Sequence, residues 1–377
     1  RFYSMMCFRR LTPCRTDVLI FDSLGVEYLK EAVPQDASYS VLDLREGVPI
    51  VFSLRFLIAW LAISRESRLG LRSSYFIALI DAYQPKAVLS FVDTHSALGR
   101  YQRYRPEIPT ISVQNALRYP HKMSTEAMPT YYALGRTAKK FLDQEKITYK
   151  HCLAAGSLPL GIFLSKNRIK KEADKITFIS SYRVAFEEIS PEEKNGGYVC
   201  ALARTHKQAF LHALRYSEER KFRLTVIAKG KVRYEGEHFL EEKQYFDGLS
   251  LGRPYTLSST VKDTYNSYHH ALAAQLVIAV DSTLAYEAFS AGARVLFCWG
   301  ADYDLLNYSR FFLEALPDAI LLKSRDYHEF VCKVDSLLNM SDESYDALTK
   351  GCRSEYVTYD ANCPVHERIK QEVSKEL

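Results

Sequence analysis

Short β-branched, apolar runs alternate with longer segments of helical period along the whole chain, and this alternation constrains the fold more than any other feature. The runs fall at residues 17–22, 40–44, 87–92, 110–114, 131–134 and 151–154, then at 176–180, 224–228, 275–279, 295–298 and 319–322. Segments 199–216, 261–273, 324–338 and 364–377 carry the helical period. Strand and helix in strict succession are the mark of parallel sheets built from βαβ units.

A chain of 377 residues is too long for one ordinary core and comfortable for two. The polar, charge-dense stretch 166–175 has no apolar period and reads as part of a connection. The expected division is therefore a first Rossmann-like domain over 1–158, a linker over 159–175 and a second Rossmann-like domain over 176–377. The C-terminal helix is the one element expected to be able to cross back onto the first domain. Two doubly wound domains facing one another place a cleft at the carboxyl ends of their strands, where open α/β sheets bind ligands.

Composition narrows the class. The chain is 47% apolar and 25% charged, with 26 Tyr and 20 Phe as bulky core material, which is ordinary for a globular protein. A net charge of +5 against 50 basic and 45 acidic residues, with no nucleic-acid motif, excludes nucleic acid as the expected partner. The eight Cys are scattered, without metal-ligand spacing, and read as reduced thiols. With no secretory leader pattern, the expected location is the cytoplasm, and peripheral contact with the inner membrane is a secondary expectation. The most apolar stretch, 49–63, is interrupted by Arg55 and shorter than the roughly 20 residues of a membrane span. It reads as a buried helix, with a face resting on the membrane as the alternative.

The richest segment for chemistry is 276–298. An apolar strand ends in Asp281-Ser282-Thr283, a helix starts at once, Glu287 follows one turn in, Gly292 closes the helix and another strand begins. Ser282 or Thr283 can cap that helix, whose N–H groups and positive dipole end suit a phosphate. Glu287 lies one turn beyond Thr283 and can accept hydrogen bonds from a sugar hydroxyl. As a plain helix cap with a solvated glutamate, the same residues need have no function.

This strand, D-S-T, helix, E, G, strand unit resembles the donor-nucleotide half of GT-B glycosyltransferases and of the related nucleotide-sugar 2-epimerases. The segments around Asp22, Gly25 and Glu27, around Asp93 and His95, around Gln114, Asn115 and Arg118, and around Ser181 and Arg183 resemble bacterial surface-carbohydrate biosynthesis proteins of the lipopolysaccharide and capsule group. Kdo transferases, which use CMP-Kdo, belong to that neighbourhood. The resemblance implies a GT-B-like fold and transfer of a sugar from a CMP- or UDP-linked donor to a glycan or glycolipid acceptor. It implies no cofactor, the nucleotide sugar being a substrate.

Each quoted residue has a physical role it can fill. Asp22, Asp93 and Gln114 each end a predicted strand. A carboxylate there can take a proton from an acceptor hydroxyl or stabilise the anomeric carbon, with Asp93 first, then Glu27 and Asp22. Gly25 permits a tight strand-to-helix turn. His95, Gln114, Asn115 and Arg118 fall on the acceptor side. Ser180, Ser181, Arg183 and Lys229 follow strands of the second domain, where hydroxyls and cations can meet the departing phosphate. P-loop, G-x-G-x-x-G and H-E-x-x-H motifs are absent, and no metal requirement is expected. The competing readings are a 2-epimerase on the same architecture and a catalytically silent sugar-nucleotide or polysaccharide-binding subunit.

Overall fold

The computed structural model describes residues 9–45, 49–67, 69–93, 95–117, 128–186, 197–229, 237–259, 265–300 and 316–377. The chain divides into two units, Arg1–Ser165 with Thr358–Leu377, and Lys166–Val357.

In the first unit, the Val-Leu-Ile-Phe run forms strand β1 (Val18–Phe21) with all four side chains buried. Such a strand must be covered on both faces, as parallel strands are. Its companions are β2 (Tyr39–Leu42), β3 (Ala87–Ser90), β4 (Thr110–Val113), β5 (Met128–Ala133) and β6 (Tyr149–Ala154). They form one parallel sheet in the order β2-β1-β3-β4-β5-β6. The order reverses between β1 and β3, where Val18 pairs with Ala87 and Phe21 with Ser90. Helices α1 (Leu54–Ser67), α2 (Leu71–Asp81), α3 (Ser96–Tyr104), α4 (Arg136–Gln144) and α5 (Leu158–Lys166) follow in the chain. Residues Arg9–Arg10 and Pro49–Ile50 add a two-stranded parallel pair.

The second unit repeats the plan with another order. Strands β7 (Lys175–Ile179), β8 (Arg223–Ile227), β9 (Thr256–Ser258), β10 (Leu276–Ala279), β11 (Val295–Cys298) and β12 (Leu321–Leu322) form a parallel sheet, β9-β8-β7-β10-β11-β12. This is the 3-2-1-4-5-6 order of dinucleotide-binding sheets, and its reversal lies between β7 and β10. Its helices are α6 (Gly197–Arg220), α7 (Glu237–Ser250), α8 (Asn266–Ala273), α9 (Thr283–Ser290), α10 (Tyr327–Asn339) and α11 (Asp342–Tyr356). Local sequence sets several ends. Asp326 caps α10 by accepting from the Glu329 N–H, and Ser341 caps α11 by accepting from Ser344. Gly292, at φ 91°, ends α9 in the left-handed conformation that glycine adopts without strain. Phe178, Phe210 and Phe246 are wholly buried and pack edge to face. Each buried ring of this size contributes roughly 1.5–3 kcal/mol.

Three expectations need correction. Residues 159–166 belong to helix α5 rather than to a linker, because Leu158, Pro159, Leu160, Gly161, Ile162 and Phe163 are buried. The second unit ends at Val357 and not at residue 377: residues 358–377, with helix α12 (Val365–Ser374), belong to the first unit, the crossing back left open for the C-terminal helix, and Val365, Ile369 and Val373 are buried there. The backbone passes Gly156 so closely that a Cβ there would stand 2.1 Å from the Thr358 carbonyl oxygen. Finally, the apolar stretch 49–63 is no buried helix. Only Phe56 and Ile63 of α1 are buried, while Leu54 and Ile58 are 74% and 60% exposed.

Candidate functional site

In the second unit the polar residues gather where the strand order reverses. Ser181, just past β7, donates its hydroxyl to the Asp281 carbonyl just past β10 at 2.8 Å, tying the two strand ends together. The Asp281 carboxylate accepts the Tyr198 hydroxyl in a short hydrogen bond. The Arg183 guanidinium lies 5.2 Å over the Tyr198 ring, with one terminal nitrogen 3.5 Å from its hydroxyl. Its Nε is buried and has no hydrogen-bond partner among the described residues.

Helix α9 begins at this point. Ser282 occupies the N-cap position with extended φ, yet its side chain makes no cap hydrogen bond, contrary to the expected role. The positive end of α9 is therefore not covered by the Ser282 hydroxyl. Glu287 is buried and accepts the Tyr268 hydroxyl at 2.9 Å, so the structure places it in a protein hydrogen bond rather than on an open face.

Next to this lies a buried polar group that includes two residues absent from the sequence reading, Glu242 and His206. Glu242, 2% exposed, takes the Lys229 backbone N–H on both carboxylate oxygens, at 3.0 and 3.1 Å. Burial raises its pKa, against the lowering effect of hydrogen bonds from Ser180 and the Lys229 backbone. His206 is completely buried among Phe178, Phe186, Tyr245 and Phe246. Desolvation, with Lys229 adding to it, pushes its pKa down to about 3, so the imidazole is neutral. The Ser180 hydroxyl accepts from the Tyr182 N–H and stands 3.5 Å from His206 Nε2. Ser180 and Ser181 thus use their hydroxyls internally, while Lys229 carries an exposed side chain on an anchored backbone.

The first unit has its own cluster at the reversal between β1 and β3. Asp22 holds a left-handed φ of 75°, a strained conformation for a residue with a side chain. Its carboxylate accepts the Leu24 N–H at 2.8 Å and pairs closely with Arg45. Gly25, at φ 70°, leaves no room for a Cβ, which would meet the Phe91 ring at 2.3 Å. Asp93 is buried and accepts the Tyr131 hydroxyl at 2.7 Å. Glu27 is exposed on the helical turn Val26–Leu29.

His95 caps α3, its Nδ1 accepting the Ala97 N–H at 3.2 Å, so the ring proton of the neutral form sits on Nε2. Burial lowers its pKa; Asp22 opposes the shift, while Arg72 and Arg100 reinforce it. The ring packs on Phe21 and Phe76. The Gln114 side-chain nitrogen donates to the Ala116 carbonyl and its oxygen accepts the Leu134 N–H. Asn115 donates to the Phe91 carbonyl, joining the end of β4 to that of β3. Arg118, and Thr94 beside Asp93, lie outside the described residues.

Two six-stranded parallel sheets, each with polar residues gathered at its switch point, define an α/β protein with two Rossmann-like domains of the GT-B-like class. The chain belongs to the family described as "putative O-antigen biosynthesis protein", which it matches over residues 141–372. No curated protein matches it. Among solved structures it is similar to MnaA of S. aureus with UDP, at 14% identity and TM-score 0.53, with 97% of this chain and 96% of that one covered. It is similar to the UDP-GlcNAc 2-epimerase of Methanocaldococcus jannaschii at 11% identity and TM-score 0.52, covering 98% and 99%. The wall teichoic acid polymerase TagF with CDPG matches at 10% identity and TM-score 0.52, covering 96% and 89%. At these identities the likeness is one of fold.

Proposed function

We propose that this chain is a glycosyltransferase of GT-B type that moves a sugar from a nucleotide donor onto a surface-polysaccharide or lipopolysaccharide acceptor. The reading assigns the nucleotide to the second unit and the acceptor to the first. One observation supports it most: the start of α9, uncapped by Ser282, adjoins the Arg183–Tyr198–Asp281 group at the strand reversal of a 3-2-1-4-5-6 sheet. Negative charge grows on the leaving phosphate as the glycosidic bond breaks, and a helix N-terminus beside a guanidinium stabilises it. Tyr198 holds the Asp281 carboxylate, so that this negative group is tied to a hydroxyl donor at the same place.

In the first unit, Asp93 is the proposed base for the acceptor hydroxyl, with its carboxylate fixed by Tyr131. Asp22 and Glu27 are the reserve. CMP-Kdo is the donor implied by the resemblance, and a UDP-linked sugar is its rival. A glycolipid acceptor would be met at a membrane surface.

The test is a melting panel with CMP, UMP, UDP and GDP, read beside direct binding, on the wild type and on Arg183→Ala. One nucleotide should raise the melting temperature of the wild type, and Arg183→Ala should weaken its binding by about tenfold. Absence of any nucleotide effect, or equal affinity in the variant, refutes the assignment. Turnover of a nucleotide sugar into its 2-epimer with no acceptor present would replace transfer by epimerisation.

A further inference from the structure

Helix α1 is apolar on two sides. Inward, Phe56 and Trp60 pack on Tyr75 at 5.5 and 5.1 Å, and Trp60 donates to the Leu71 carbonyl. Outward, Leu54, Leu57, Ile58 and Leu61 follow the i, i+3, i+4, i+7 spacing that puts them on one stripe. They are 74%, 42%, 60% and 50% exposed, and Phe52 and Leu71 extend the patch at 72% and 57%. A helix apolar nearly all round is expected to be enclosed. In this one only Phe56 and Ile63 are buried.

The charges around the stripe say what covers it. Arg55 and Arg65 lie on α1, Arg72 opens α2, and Arg10 is brought to Arg55 and Phe52 by a groove of about 430 Å³ that all three line. All four arginines are exposed, and none forms an ion pair among the described residues. The neighbouring acids are engaged: Asp81 pairs with Arg105, and Glu66 accepts the Tyr104 hydroxyl. The patch therefore presents large apolar side chains beside four exposed arginines that form no ion pair among the described residues. At 14 residues α1 is about 21 Å long, short of the roughly 30 Å hydrocarbon core, so it suits a position in the plane of the interface.

We propose that this face docks on an anionic lipid bilayer. Phe52, Leu54, Ile58 and Leu61 enter the headgroup–acyl boundary, while the four arginines meet lipid phosphates. The inference does not depend on the transferase reading, since docking is measured without donor or acceptor.

The experiment is co-sedimentation of the full chain with phosphatidylcholine vesicles and with vesicles carrying about 30% phosphatidylglycerol, at low and high salt. Sedimentation velocity is run beside it. Two variants are compared, Leu54→Ser/Ile58→Ser/Leu61→Ser and Arg55→Gln/Arg72→Gln, with melting to confirm folding. Phosphatidylglycerol vesicles should bind the wild type, salt should weaken that binding, and each variant should bind about tenfold or more weakly. A wild type that stays in the supernatant, or a triple-serine variant that binds as well as the wild type, overturns the proposal. So does a wild-type dimer that the serine variant turns into monomer without vesicle binding, since a second copy then covers the face.

Discussion

Acid should destabilise the second unit, with His206 a measurable share of the effect beside His212 and His270, whose pKa values burial also lowers. The His206 imidazole is fully buried, and its polar contacts, Ser180 and Tyr245, are both at 3.5 Å. The folded pKa is about 3, against 6.5 for the ordinary imidazole. The unfolded chain therefore binds a proton that the folded chain refuses between these values. Stability is whole above 6.5 and is lost as pH falls from there toward the folded pKa. From about pH 7 to about pH 5 the loss amounts to about 2 kcal/mol. His206→Leu removes the titration while keeping an apolar side chain of similar bulk. In melting or urea unfolding at the two pH values, wild type should lose about 2 kcal/mol more than the variant. For a unit of this size that narrows the gap between them by roughly 4–8 °C. Equal acid sensitivity in the two proteins would show that His206 protonates in the folded state and that its burial is not what the geometry indicates.

Two further outcomes are expected. Asp93→Asn keeps an acceptor for the Tyr131 hydroxyl, so melting and nucleotide binding should hold while turnover in a sugar-transfer assay falls by roughly a hundredfold; undiminished transfer removes Asp93 as the base. Gly156→Ala puts a Cβ against the Thr358 carbonyl at a φ of 110°, and the first unit should lose about 3 kcal/mol or more in denaturant unfolding.

Much of the fold was legible because buried parallel strands announce themselves as apolar runs. Val295–Cys298 is a strand with the predicted limits, and most other predicted strands differ from the observed ones by one to three residues at an end. Strand β9 was missed because Thr-Leu-Ser at an edge, one residue of it buried, has no such run. Helix α1 shows the converse: hydrophobicity records that a side chain avoids water, not what covers it. At the sites, Gly25 and the D-S-T turn were legible because backbone geometry demands them. Glu242, Tyr198 and Tyr131 were not. Each acts by reaching a partner far along the chain, and neither a glutamate in a polar helix nor a tyrosine among 26 carries a local mark of that reach.

The return of residues 358–377 to the first unit makes the second an insert within the first. During synthesis all residues of the inserted unit are available before those of the unit around it, which is complete only with helix α12. Until then the cavity that will receive Val365, Ile369 and Val373 stands open, and Tyr132 lacks its partner Glu372. The early half of the chain is thus the late half to mature, and a nascent protein stalled before residue 358 would expose that cavity to chaperones and proteases.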